Sequence, residues 1–121
     1  MTALRILVVE DEAIIAELLS DVLEGMGHDV CAIATTQVDA ISAAERCRPD
    51  VMIVDVRLGK GSGLFAVDEI LRSRYVPHVF VSADISSVRA QRPLSVGMQK
   101  PYREAELASA IKRSLAAAAA P

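Results

Sequence analysis

The residues able to do chemistry in this chain stand at the ends of short apolar runs. Glu10 and Asp11 follow Ile6-Leu7-Val8-Val9, and Asp55 follows Val51-Met52-Ile53-Val54. Ser82 follows Val79-Phe80-Val81, and Lys100 follows the weaker run Val96–Gln99. Brought to one cleft, they set three carboxylates beside a hydroxyl and an ammonium. Three negative charges within a few ångström push at least one carboxyl pKa up. A divalent cation together with Lys100 cancels them, and hard oxygen donors in a shallow, wet cleft suit Mg2+ better than zinc. Asp55 stands alone at the tip of its run. A carboxylate held beside Mg2+ can attack a phosphoryl group and form an acyl phosphate. The metal and Lys100 then neutralise the equatorial oxygens. Ser82 can hydrogen-bond the phosphoryl oxygen, and Ala83 is small enough to leave the approach open.

These residues need elements that carry them to one edge. Each apolar run is short, unbroken and rich in β-branched residues, the pattern of a parallel strand buried on both faces. Between the runs lie helical patterns. Ile15, Leu18, Leu19, Val22 and Met26 form a stripe over residues 12–26, which Gly25 and Gly27 end. Val30 to Ala34 is a second strand, followed by a helix over Val38, Ile41 and Ala44 to Arg48 and closed by Pro49. A third helix carries Leu64, Val67, Ile70 and Leu71, and Pro77 starts the fourth strand. Residues 83–94 are poor in apolar side chains, so a helix there is short or irregular. Gly97 weakens the fifth strand. The last helix starts near Arg103 with Leu107, Ile111 and Leu115 inward, and residues 116–121 are expected to fray. Five strand–helix units predict an α/β fold: a flavodoxin-like, doubly wound, five-stranded parallel sheet with about five helices. The expected strand order is 2-1-3-4-5, and ligands of such sheets sit where that order reverses, between strands 1 and 3.

Composition bounds the rest. The 121 residues suit a single domain over 1–121, with 52% hydrophobic and 24% charged side chains, which excludes a disordered segment. Only 3% of residues are aromatic and the net charge is −3, which argues against nucleic-acid binding. No window suits a signal peptide or a membrane span, so the expected location is cytoplasmic. Cys31 and Cys47 are read as two reduced, semi-buried thiols, since they match no zinc or disulfide framework.

Four motifs in order carry a family resemblance: Val8-Val9-Glu10-Asp11, Asp50 to Asp55, Phe80-Val81-Ser82-Ala83 and Lys100-Pro101-Tyr102. Over residues 4–116 the chain resembles the receiver domain of bacterial two-component response regulators. The resemblance implies that Asp55 is the phosphoacceptor for a histidine kinase or a histidine phosphotransfer protein. It implies Mg2+ bound by Asp11, Asp55 and the main-chain carbonyl of Arg57, with Glu10 acting largely through water. It also implies a cis peptide before Pro101. Two departures stand out. Most receivers carry a switching aromatic residue three positions before the lysine, where this chain has Gly97. The stretch from Ser82 to Lys100 is about one helical turn shorter than usual. That shortening is similar to a stand-alone receiver subclass of alphaproteobacteria, although its Gly-x-Tyr portion reads Ala83-Asp84-Ile85 here.

Other readings of the same residues are a Mg2+-dependent aspartyl phosphatase of the haloacid dehalogenase type and a pseudo-receiver that is never phosphorylated. The phosphatase needs a general acid two positions after Asp55, where Arg57 stands. Glu12 alone fits a helix-start acid, Gly59–Gly63 a flexible loop, and His28 and His78 a turn and a strand edge. No effector segment is expected after the domain, so output is expected through protein contact or phosphate shuttling. Arg57, Ala83 and Asp84 are expected to tune hydrolysis. The partner surface is placed on residues 83–94, the fifth strand and the last helix, near Val96, Met98, Ala108 and Ile111. With no aromatic switch, residues 83–94 are expected to gain order when Ser82 engages the phosphate.

Overall fold

The computed structural model describes residues 3–119. The apolar runs form the strands β1 (Arg5–Val9), β2 (Asp29–Ala34), β3 (Val51–Asp55), β6 (His78–Ser82) and β7 (Val96–Gln99), all parallel, in the order β2-β1-β3-β6-β7. The order is that predicted, because a two-stranded antiparallel hairpin, β4 (Arg57–Leu58) and β5 (Gly61–Ser62), merely intervenes in the numbering. The helices are α1 (Ala13–Gly25), α2 (Gln37–Cys47), α3 (Gly63–Ser73), α4 (Ile85–Gln91) and α5 (Glu104–Ala119). Period-two alternation splits each buried strand between two cores. Ile6, Val8, Val51, Ile53, Val79 and Val81 pack with Leu19, Leu23, Leu107 and Ile111 under α1 and α5. Leu7, Val9, Met52, Val54 and Phe80 pack with Ala40, Ala44, Val67, Ile70 and Val88 under α2, α3 and α4.

Helix starts follow local chemistry. The Thr36 hydroxyl accepts the Asp39 N–H at 3.0 Å to open α2, and the Ser62 hydroxyl accepts the Leu64 N–H at 3.1 Å to open α3. Asp84 accepts the Ser86 N–H at 3.1 Å and opens α4. Gly27 takes φ +94 beyond the end of α1, a left-handed conformation that side chains resist.

The structure corrects several expectations. Cys31 and Cys47 are bonded as a disulfide, because β2 and the end of α2 lie side by side with the two Cα atoms 6.1 Å apart. The chain between them folds back, which no spacing rule reveals. On α1 the buried side is Ala16, Leu19, Ser20 and Leu23, while Ile15 and Leu18 lie outward, Leu18 60% exposed. Residues 116–119 continue α5, since alanine is the best helix former; Ala120 and Pro121 lie outside the described residues. His78 is buried at the start of β6, an interior strand, its ring edge-on to Phe80. Met98 and Ile111 are buried in the core beneath α5 and present no surface to a partner. The glycine-rich segment is no slack loop: β4 and β5 pair, and the Ser62 N–H donates to Gln37 Oε1 at 3.0 Å.

Candidate functional site

The sheet delivers every strand-end residue to one edge. Glu10, Asp11, Glu12, Asp55, Arg57, Gly59, Ser82, Ala83 and Lys100 line one open cavity of about 310 Å³. It lies over the reversal between β1 and β3. Asp84, placed in the set from sequence, is not part of that lining; its carboxylate is occupied at the start of α4.

Asp55 is 8% exposed at the floor of the cavity, and its two oxygens are held differently. Oδ1 accepts the Arg57 N–H at 2.9 Å, an arrangement that turns the chain sharply after β3. Oδ2 takes the Lys100 ammonium. The same ammonium reaches Glu10 Oε1 at 3.5 Å, so one cation bridges two carboxylates. Lys100 is aimed there by β7, by the Lys100 N–H donating to the Ser82 carbonyl at 2.9 Å, and by a cis peptide to Pro101. Burial alone would lower the Lys100 pKa, but Asp55 and Glu10 together outweigh it and hold the ammonium above its ordinary value.

One positive charge does not balance the cluster. Glu10, only 4% exposed, is pushed up to about 7 by burial first and by Asp55 beside it second, against the Glu12 N–H, which favours the carboxylate at 3.1 Å. Such a site favours further positive charge. Among the described residues no three acidic, His or Cys side chains already converge as a metal cage. Mg2+ does not require one, since it keeps several waters and is held through one or two carboxylates. The exposed Asp11 and the Asp55 carboxylate set oxygen donors along one cavity beside Arg57, a donor chemistry that suits that ion.

Ser82 is engaged elsewhere. Its hydroxyl accepts the Asp84 N–H at 3.0 Å and lies 3.1 Å from the Asp84 carbonyl, closing a turn at the start of α4. Ala83 is exposed at the cavity rim and Glu12 occupies the N-cap position of α1 without a side-chain cap bond.

Two features escaped sequence reasoning. Gln37 ties the β4–β5 hairpin, and hence Arg57, to the first residue of α2; a lone glutamine at a helix start carries no signal of this. The second is a groove of about 600 Å³ beside the acidic cavity, where Ile15, Leu18, Pro101 and Tyr102 meet Glu10, Asp55 and Lys100. Ile14 adds an apolar side chain 76% exposed on the same helix. A surplus of apolar residues over one stripe at the start of α1 was the available sign.

Comparison with known proteins places this architecture. Residues 6–112 match the response regulator receiver domain. The phyllosphere-induced regulator PhyR of Methylorubrum extorquens is 35% identical over 117 residues, covering 93% of this chain and 44% of that protein. The transcriptional regulatory protein PdtaR of Mycobacterium tuberculosis is 30% identical over 112 residues, 89% of this chain and 55% of that one. The chain thus spans about half the length of these curated relatives. Among solved structures, the receiver domain of Erythrobacter litoralis PhyR superposes with a TM-score of 0.86 at 28% identity, covering 100% of this chain and 96% of that one. The anti-anti-sigma factor PhyR of Bartonella quintana gives 0.86 at 25% identity over 95% and 48%. Matched over nearly its whole length, with the same sheet order, the chain belongs to the response regulator receiver domain family.

Proposed function

We propose that Asp55 accepts a phosphoryl group from the phosphohistidine of a histidine kinase or histidine phosphotransfer protein, with Mg2+ beside it. The observation that supports this reading is the Asp55 carboxylate at the cavity floor, bridged by Lys100 to Glu10 and open above to the cavity. An Asp55 oxygen attacks phosphorus in line, the P–N bond breaks as the O–P bond forms, and the imidazole nitrogen leaves. Lys100 turns its ammonium from the carboxylate to an equatorial phosphoryl oxygen. The Arg57 N–H keeps the other Asp55 oxygen oriented. Ser82 gives up its turn with Asp84 to donate to the phosphoryl group. When bound, Mg2+ would be held by Asp11, Asp55 and the Arg57 carbonyl, with Glu10 acting through water, and would supply charge neutralisation there.

The apolar groove along α1 suits the donor protein, since a helix bearing the phosphohistidine can rest on Ile14, Ile15 and Leu18 with its imidazole over Asp55. Output passes through a protein partner at α4 and the exposed parts of β7 and α5, in keeping with the regulatory names of the relatives, one of which is an anti-anti-sigma factor. Arg57 and Ala83 at the rim tune hydrolysis by controlling water access. Incubation with acetyl phosphate and Mg2+, read on a Phos-tag gel, is the test. A retarded band is expected for the wild type and lost with Asp55→Asn or with EDTA. Equal labelling of Asp55→Asn sinks the assignment.

A further inference from the structure

The disulfide partners occupy unusual places in the chain. Along β1 and β2, Ile6 faces Val30 while the next residue, Leu7, faces Ala32, so Cys31 is the extra residue of a β-bulge. Cys31 and Ala32 consequently pack on the same face, beneath α2, where strict alternation would have separated them. Beside this bulge Cys31 meets Cys47, the last residue of α2. Both cysteines are half-buried, and Cys31 packs against the edge of the core that Ala40, Ala43 and Ala44 build under α2. The Arg5 guanidinium donates to the Cys47 carbonyl at 2.7 Å, a second tie on the end of α2 that sets a cation beside this residue. Nearby positive charge favours the thiolate, the form that exchanges.

We propose that Cys31 and Cys47 are a reversible thiol–disulfide site, closed by exchange with a low-molecular-weight disulfide and opened by a dithiol reductant. One cysteine thiolate attacks the small disulfide, forming a mixed disulfide and expelling one thiolate. The second cysteine thiolate then attacks the protein sulfur of that bond and expels the other. Two electrons pass from the protein sulfurs to the small disulfide, and the two protons from the cysteines end on the two released thiols. Closure cross-links edge strand β2 to α2 across a sequence separation of 16, lowering the entropy of the unfolded chain. The site is independent of Asp55 chemistry.

The test is equilibration of the whole chain with glutathione and glutathione disulfide at graded ratios, followed by alkylation and mass spectrometry. Both thiols are expected to vanish together into one intramolecular cross-link, to return with dithiothreitol, and to raise Tm by roughly 5–15 °C when closed. Reduced wild type and the variant C31S/C47S are expected to melt together, and C31S alone to carry one glutathione on Cys47. Glutathione capping each cysteine separately overturns the proposal, as does a bond that dithiothreitol cannot open in the folded chain. Closed and open wild type with equal Tm overturns the clamp, and this comparison holds even if C31S/C47S does not fold.

Discussion

At the scale of single residues, the site is an electrostatic compromise in which one ammonium serves two buried carboxylates. Asp11 is the exposed carboxylate of the cavity, and the proposed Mg2+ site would lose one of its two directly bound carboxylates with it. Asp11→Ala is therefore expected to weaken Mg2+ binding by more than about tenfold, read by calorimetry or NMR titration. Unchanged affinity would remove Asp11 from the ligand set. His78 offers a separate test remote from this edge. Its Nδ1–H donates to the Val76 carbonyl at 2.8 Å, and burial, the dominant influence, lowers its pKa below the ordinary 6.5. The unfolded chain then binds the proton more readily than the folded one. The stability that neutral His78 contributes is complete above pH 6.5 and is lost as pH falls from there toward the folded-state value. Urea titrations at graded pH are expected to show the wild type losing more stability than His78→Phe between pH 7.5 and 5; parallel losses would refute it.

At the scale of elements, two close approaches position the site. Gly63 opens α3 against β3 so tightly that a Cβ there would overlap the Asp55 carbonyl oxygen and press on Val54. Backbone cannot yield as a side chain can, so Gly63→Ala is expected to cost about 2–4 kcal/mol in urea unfolding and to slow phosphorylation. Gly97 is a different case. A Cβ there would meet Cδ1 of Ile85, the far end of a flexible side chain, with Cγ1 at 3.3 Å. Gly97→Ala is expected to cost only about 1 kcal/mol, and Ile85→Val, which removes that Cδ1, to relieve much of it. A double-mutant cycle measures the coupling; strict additivity would show that Ile85 does not fill the notch. The space beside Gly97 is thus filled by Ile85 and Val88 of α4.

At the scale of the whole molecule, the doubly wound sheet gathers strand ends from residues 10 to 100 at one edge, and α4 starts beside the cavity they form. The helix is short, as its composition implies, yet capped by Asp84 and anchored by buried Ile85 and Val88. Its backbone is further tied by the Ile85 N–H donating to Gln99 Oε1 at 3.3 Å. With the start of α4 tied in this way, sensing is expected to include a rearrangement there. When beryllofluoride occupies Asp55 and Ser82 turns to it, the Asp84 N–H loses its acceptor. Amide exchange at Asp84 is expected to quicken several-fold, and equal rates with the site occupied would refute this coupling.

The sequence alone determined the alternation of apolar runs and helical stripes, and with it the sheet, its order and the arrival of Glu10, Asp11, Asp55, Ser82 and Lys100 at one edge. Strand ends need no side-chain detail to be located, because parallel strands start and stop with their apolar runs. Tertiary structure decided what depends on non-local contact. The bulge at Cys31 is a matter of register between β1 and β2, and no local pattern marks the extra residue. Ile15 and Leu18 lie outward because Ala16, Leu19 and Leu23 are the side chains of α1 that pack into the core with Leu107 and Ile111 of α5, while the helix period leaves two faces nearly equivalent. Ser82 and Asp84 turned to each other because a turn at the start of α4 satisfied both locally. Residue type names the chemistry available; the packing of distant elements chooses which partner each group meets.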